Sequence, residues 1–259
     1  MRFKMDSLTH DYMQQARQIN PRIITEADLA PLPDPVQRYL HYAGVIGKPQ
    51  VRCARVVQSG VLRTAPSQNW MPIQAVQYST LAGSLSRTWY AAAKKGPVAL
   101  LKARDRYDNG AGHMLIKLFS LFTVADVRGP EIDISALLIF FNDMVMWPTA
   151  FLDKSLTWEA IDANSARATL RLFNRQASAI LQFNACAELI NFVTEERYRS
   201  VGKDQLRTKW STPLRNYREV NGFRIPTEGE AIWHLPEDDF CYIQIKLDEV
   251  LYDTFMERN

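Results

Sequence analysis

The stretch GPEIDISALLIFFNDMVMWPTAFL, residues 129–152, is apolar with helical spacing in a chain that otherwise alternates like strands. Its periodic residues recur at intervals of three and four, which predicts a helix: Ile134, Leu137, Leu138, Phe141 and Val145. Other apolar residues widen this stripe until only Asn142 and Asp143 are clearly polar. A helix that is apolar nearly all round is a buried helix.

The ends of this helix also have sequence signals. Asp133 or Ser135 can cap its start, and Glu131 places a negative charge near the positive end of the helix dipole. We expect the helix to run to about Met144 and to end before Trp147-Pro148.

The segments around the helix alternate with period two and are rich in β-branched and aromatic residues, which predicts strands. They cover residues 51–63, 70–81, 86–93, 103–127, 156–162, 166–173, 177–184, 188–201, 208–220, 223–235 and 241–253. Asp108-Asn109-Gly110 and Asn221-Gly222 are typical of tight hairpin turns. Connections this short exclude parallel crossovers, so we predict an antiparallel sheet of about ten strands.

The segment from Gly112 to Ala125 is apolar on both of its faces, although His113 and Lys117 interrupt one of them. A strand with one solvated face alternates more cleanly, so this segment is predicted to be covered on both sides. The combined prediction is an α+β fold, in which a large curved antiparallel sheet, a half-barrel, holds the apolar helix in its concave face. The helix either fills this space as core or leaves a cavity beside it.

Helices are predicted before the sheet. Residues 1–30 form a helical arm with Leu8, Tyr12, Met13 and Ile19 on one face, and residues 31–259 form a single curved-sheet domain. A second short helix is predicted in LPDPVQRYLHYAGV, residues 32–45, with Gly44 as its stop signal.

Composition restricts the class of protein. The chain has 259 residues, of which 47% are hydrophobic and 23% charged, and its net charge is +3. The charges are well mixed, which does not favour a nucleic-acid partner. No signal peptide or membrane-spanning run is evident, so we expect a cytoplasmic protein without a transmembrane segment. Cys53, Cys186 and Cys241 lack ligand spacing and are expected to be buried or half-buried free thiols.

Motifs for known chemistry are absent from the sequence. It has no HExxH motif, GxSxG elbow or phosphate-binding glycine loop, so we expect no metal and no cofactor. The candidates for an acid–base site are Asp105, Tyr107, His113, Asp126 and Glu131. Cross-strand ion pairs on a solvated face also explain such charged residues.

A ligand cavity would be lined by large apolar side chains of the sheet and helix. The candidates for this lining are Trp70, Trp89, Met114, Phe119, Phe140, Met144, Trp147 and Phe151. Large aromatic residues are equally common in protein cores, so the pattern alone leaves both interpretations open.

Several motifs in order resemble an uncharacterised bacterial family of unknown function. They are LPDPVQRYLHYAGV (32–45), WMPIQA (70–75), DRYDNGAGHM (105–114), ADVRGPEID (125–133), MWPTAFL (146–152), YREVNGFRIPTEGE (217–230) and WHLPEDDF (233–240). The resemblance covers about residues 31–253 and implies no catalytic residues. Many members carry membrane spans before the LPxPV segment, which this chain lacks. The predicted architecture also looks like the half-barrels of periplasmic lipoprotein carriers, by analogy of fold alone.

Three functional hypotheses follow. The first is a non-enzymatic binder of a lipid or other apolar small molecule, held between the sheet and the central helix. The second is an enzyme with an acidic, Tyr or His site at the cavity rim. The third is a structural or interaction module that forms a homo-oligomer through the N-terminal arm.

Overall fold

A computed structural model describes residues 5–95, 98–202 and 204–253. Its helices are α1 (Ser7–Gln18), α2 (Glu26–Leu29), α3 (Asp34–Ala43) and α4 (Pro130–Asn142), and the 3-10 helices Asp143–Met146 and Pro148–Leu152 follow α4. Its strands are β1 (Cys53–Leu62), β2 (Met71–Thr80), β3 (Ser86–Lys95), β4 (Val98–Asp108), β5 (Ala111–Leu118), β6 (Phe122–Val127), β7 (Leu156–Asp162), β8 (Ser165–Leu172), β9 (Arg175–Phe183), β10 (Leu189–Val201), β11 (Asp204–Val220), β12 (Phe223–His234) and β13 (Asp239–Tyr252).

All these strands form one antiparallel sheet, in the order β6-β5-β4-β3-β2-β1-β13-β12-β11-β10-β9-β8-β7. The chain runs outward from β1 to the edge strand β6 and re-enters at the opposite edge, β7. The last strand, β13, then pairs with the first. The segment that contains α4 is therefore the connection between the two edges of the sheet.

The sheet curves around α4. This helix contacts β4 and β5 on one side and β9 and β10 on the other, although six strands lie between β4 and β10 in the sheet order. Strands so far apart can reach one helix only if the sheet bends. The predicted α+β fold, a curved antiparallel sheet with an apolar helix in its concave face, is confirmed.

The interior of α4 belongs to the main core. Leu137, Leu138, Phe140 and Phe141 are all fully buried. The predicted caps are wrong, because the helix begins earlier, with Gly129 at the N-cap and Pro130 at the first helical position. The fixed φ of proline suits that position. Asp133 and Ser135 lie inside the helix, where they bond other elements instead.

The segment from Gly112 to Ala125 differs from the prediction. It is a hairpin of two strands, β5 and β6, joined by a turn in which Phe119 and Ser120 have φ of 50° and 66°. Neither residue is typical of such a turn, so the sequence gives no signal for it. The structure has thirteen strands in its described residues rather than about ten. The edge strand β6 is also exposed rather than covered on both sides.

The N-terminal helix α1 packs on β1, β2 and β3. Its buried residues are Thr9, Met13 and Ala16, whereas Leu8 and Ile19 of the predicted face are exposed. Met13 belongs to a small apolar cluster with Cys53, Val76 and Tyr78 of the strands. The helix therefore places its buried face against its own sheet.

Candidate ligand cavity

A cavity of about 230 Å³ lies between the sheet and the end of α4, and it is partly open to solvent. The helix side contributes Ile139, Asn142, Asp143, Val145 and Met146. The apolar residues of the sheet side are Trp89, Met114, Trp210, Leu214, Pro226, Ala231, Tyr242, Ile243, Ile245 and Leu247. The lining is therefore mostly apolar.

Element lengths explain why the cavity exists. The 13 residues of α4 span about 20 Å at the helical rise. The 17 residues of β11 span roughly 55 Å when extended. One helix of this length cannot cover the whole concave face, and the chain turns away through two short 3-10 helices after Asn142.

A buried polar cluster forms one wall of the cavity. Arg87 of β3 donates to Asp105 of β4 at 2.7 Å and to Asp143, just after α4, at 2.6 Å. Gln77 of β2 donates to the same Asp143 oxygen at 2.8 Å. All four side chains are buried. Three elements are thus joined through one guanidinium group.

The electrostatics of this cluster follow from burial. Burial raises the pKa of the Asp143 carboxyl, and the charge of Arg87 offsets this only in part. Burial also disfavours the charge of Arg87, but Asp143 and Asp105 outweigh it and raise the pKa of the guanidinium. The arginine is therefore charged throughout the physiological range.

Aromatic rings form a second wall. The guanidinium of Arg197 lies 4.2 Å from the Trp210 ring and 4.9 Å from the Trp233 ring, and it donates to the Tyr242 hydroxyl at 2.7 Å. Trp233 stacks on Tyr242. This wall is held together by its own cation–π and hydrogen-bond contacts.

The remaining polar lining residues are Gln58, Thr212, Glu228 and Glu230. The two glutamates pair with Arg215, whose side chain is half exposed, at 3.1 and 2.6 Å. Gln58 accepts a hydrogen bond from the Trp89 indole at 2.7 Å. These three side chains thus have partners in the protein.

The structure divides the eight predicted lining residues into groups. Trp89 and Met114 line the cavity, whereas Phe140 and Met144 line a separate void of about 10 Å³, the size of one water molecule. Trp147 and Phe151 are buried in the core.

Two predicted lining residues lie elsewhere. Trp70 is half-buried beside β2, with the Arg63 guanidinium 4.5 Å from its ring. Phe119 is exposed in the turn between β5 and β6.

The five acid–base candidates are also separated. Asp105 lines the cavity, Tyr107 is buried against the Phe140 ring, and Glu131 lies half-buried in the first turn of α4. His113 and Asp126 are brought together at 2.7 Å, where the hydrogen bond from His113 lowers the pKa of Asp126. Because His113 neighbours the lining residue Met114 on β5, it points to the opposite face of the sheet.

Sequence reasoning identified Asp105 of the polar wall, but it missed Arg87 and Asp143 of that wall and Arg197 of the aromatic wall. Arg87 carries a signal, since it alternates with Trp89 on the inward face of β3. Asp143 also carries one, as a carboxylate at the end of an otherwise apolar helix. Nothing in the sequence places these two residues side by side, because 56 residues separate them.

The cysteines of the chain are free thiols: Cys53 is buried, Cys241 half-buried and Cys186 exposed, the last contrary to expectation. The described residues contain no group of three or more His, Cys, Asp or Glu side chains that could hold a metal ion. In the same residues, no helix has the length and apolar character needed to cross a bilayer.

A family model described as "Family of unknown function (DUF6544)" matches residues 22–245. The chain belongs to this family, which confirms the resemblance to an uncharacterised family. No curated protein matches the sequence.

Solved structures show similarity at low identity. A DUF1329 family protein from Desulfovibrio piger has a TM-score of 0.47 and 10% identity, over 92% of this chain and 96% of that chain. A LolA superfamily protein from Nitrosomonas europaea has a TM-score of 0.44 and 12% identity, over 86% and 96%.

Proposed function

We propose that this member of the DUF6544 family binds one lipid or other apolar small molecule in the cavity between its sheet and α4, and releases it unchanged. The supporting observation is the largely apolar cavity of about 230 Å³. An engineered apolar cavity of about 150 Å³ binds benzene, and pockets for drug-sized molecules have about 300–1,000 Å³. The expected ligand is therefore one hydrocarbon chain or ring system.

The charges around the cavity favour a ligand whose polar end donates hydrogen bonds rather than one whose polar end is anionic. Asp105 and Asp143 share the single charge of Arg87, so the cluster is acidic when both carboxylates are ionised. A ligand group that donates hydrogen bonds, such as an amine or hydroxyl, compensates this charge. An anionic head group at the same wall adds to it.

Binding to this cavity is tested by narrowing it. Ile245 lines the cavity from β13, and the larger side chain of an Ile245→Trp variant occupies part of the space. We expect it to bind a fluorescent alkylamine probe at least about tenfold more weakly, a loss of about 1.4 kcal/mol in binding free energy, because the indole occupies volume that the ligand needs. Ile161→Trp is the matched control, since Ile161 is exposed on β7 and lies outside the lining.

Native mass spectrometry of the wild-type protein supplies the second measurement. We expect a co-purified apolar species that is released on mild denaturation. Saturating ligand at about 100 times its Kd should raise the free energy of unfolding by about 2.7 kcal/mol. A wild-type protein that carries no such species and binds the probe no better than Ile245→Trp would contradict the proposal.

A further inference from the structure

The hairpin of β5 and β6 ends in an exposed apolar tip. Within six residues, the exposed fractions are 49% for Phe119, 76% for Leu121, 65% for Phe122 and 60% for Val124. We call residues 118–124 the hairpin tip. Contiguous exposed apolar residues of this kind mark interaction sites in soluble proteins, whereas scattered ones do not.

An apolar row connects the hairpin tip to the cavity. Met114 lines the cavity, and Ile116 and Leu118 follow at intervals of two on the same face of β5. Leu118 lies directly opposite Phe122 in the sheet register. The row therefore runs along one face of the sheet from the cavity wall to the exposed tip.

The other face of the hairpin is basic. Lys102 of β4 and Lys117 of β5 lie directly opposite each other, and neither has a carboxylate partner in the part of the chain that the structure describes. Like charges in this arrangement destabilise a sheet. The β5–β6 hairpin, residues 111–127, contains one carboxylate, Asp126, which lies at the end away from the tip and pairs with His113. This combination of apolar tip and unpaired lysines is complementary to an anionic surface with an apolar interior.

We propose that the hairpin tip docks on the surface of an anionic lipid bilayer. Its apolar side chains enter the boundary between head groups and acyl chains, and Lys102 and Lys117 contact the anionic head groups. The bilayer then meets the outer end of the apolar row that leads to the cavity. Vesicle docking by the tip is separate from cavity binding, so either proposal can fail without the other.

Vesicle sedimentation tests the docking surface. Wild-type protein is mixed with vesicles of phosphatidylcholine alone, or of phosphatidylcholine with phosphatidylglycerol. We expect binding to the anionic vesicles that weakens as salt is raised. The Leu121→Ser/Phe122→Ser variant should bind at least about tenfold more weakly, because each side chain loses its burial in the lipid. The Lys102→Gln/Lys117→Gln variant should lose about fivefold for each lysine.

Two controls match these variants. Ile161→Ser/Leu206→Ser removes two exposed apolar side chains from other strands, and Lys154→Gln/Lys209→Gln removes the same net charge from exposed positions. Both should bind like the wild type. Absence of wild-type binding, or equal losses in variants and controls, overturns the proposal. So does a wild-type dimer that Leu121→Ser/Phe122→Ser dissociates without any binding to vesicles, since the tip is then a contact between two copies.

Discussion

Arg87 forms ion pairs with two buried carboxylates at the cavity wall, Asp105 and Asp143. Its positive charge compensates the negative charge of both. We expect Arg87→Met to lower the free energy of unfolding by about 3–5 kcal/mol, because the carboxylates stay buried without their partner. Urea denaturation at neutral pH measures the loss. Arg87→Met/Asp105→Asn/Asp143→Asn should recover much of it, since neutral amides replace the unpaired charges.

The pH dependence of this loss has a defined sign. The pKa of Asp143 is raised in the folded state. The contribution of this carboxyl to stability is therefore fully present below about pH 3.8 and is lost as pH rises through the folded pKa. The loss of unfolding free energy in Arg87→Met should therefore become smaller in acid. Arg215→Met is the matched control, because Arg215 also pairs with two carboxylates but is half exposed. Its expected cost is about 0–1 kcal/mol, and equal costs for the two variants would contradict the role of burial.

The element α1 depends on Asp6 for its attachment to the sheet. Asp6 caps the helix by accepting from the Thr9 amide at 2.9 Å, and it accepts from the Tyr90 hydroxyl at 2.6 Å. Arg106 of β4 also pairs with it. We expect Asp6→Ala to reduce the protection of α1 amides against hydrogen exchange, by about 1–2 kcal/mol, because cap and cross-element bonds are lost together.

Acid should weaken the same attachment in the wild type. Partial burial opposes ionisation of Asp6, but the hydrogen bonds from Tyr90 and Thr9 and the charge of Arg106 hold its pKa below 3.8. Stability from a lowered pKa is present above 3.8 and is lost as pH falls through the folded value. The difference in hydrogen-exchange protection of the α1 amides between the wild type and Asp6→Asn should therefore become smaller in acid. A constant difference across this range would show that the charge of Asp6 does not hold the helix.

Elements were predictable where local chemistry and burial agree. The period of α4 and the turns Asn109-Gly110 and Asn221-Gly222 were found because each uses residues typical of its conformation. The turn at Phe119-Ser120 was missed because neither residue is typical of positive φ. Likewise, the starting point of α4 depends on Pro130, while Asp133 is used for contacts across the molecule.

At the scale of the whole molecule, the cavity could be anticipated but its lining could be predicted only in part. Its walls come from strands on both sides of the β1–β13 pair, and bulges shift the register within several of these pairs. A single-residue shift exchanges the inward and outward faces of a strand. Trp89 and Met114 were identifiable from composition and alternation. Arg197 and Tyr242 were not, because they come from β10 and β13, which have two strands between them in the sheet.

The two sides of the curved sheet meet at the start of α4. Arg175 of β9 pairs with Asp133 of the helix and donates to the Gly110 carbonyl, in the β4–β5 turn, at 3.2 Å. Asp133 also accepts from the Gly112 amide at 2.7 Å. A Cβ added to Gly112 would lie 2.5 Å from the Ile132 carbonyl oxygen, so only glycine allows the helix this close to β5. Arg175 thus links hairpins that lie far apart in the sheet order.

Removing this link should let the two sides separate. We expect Arg175→Leu to lengthen and broaden the distance between spin labels on Ala111→Cys and Gln176→Cys, both exposed positions. Pulsed electron resonance measures this distance in a Cys186→Ser/Cys241→Ser background, because Cys186 is exposed and Cys241 is only half-buried. Burial raises the pKa of the Cys53 thiol to about 12, which keeps it unreactive toward the label.

Arg171→Leu is the control for the separation, because Arg171 lies on the adjacent strand β8 and its side chain donates to Thr157 of β7 at 3.1 Å. Its distance distribution should equal that of the labelled protein in which Arg171 and Arg175 are both intact. If Arg175→Leu also leaves the distribution unchanged, the packing of α4 against β5 and β10 alone sets the curvature of the sheet. The width of the cavity would then depend on the apolar face of the helix, and the ion pair at Asp133 would contribute only local stability.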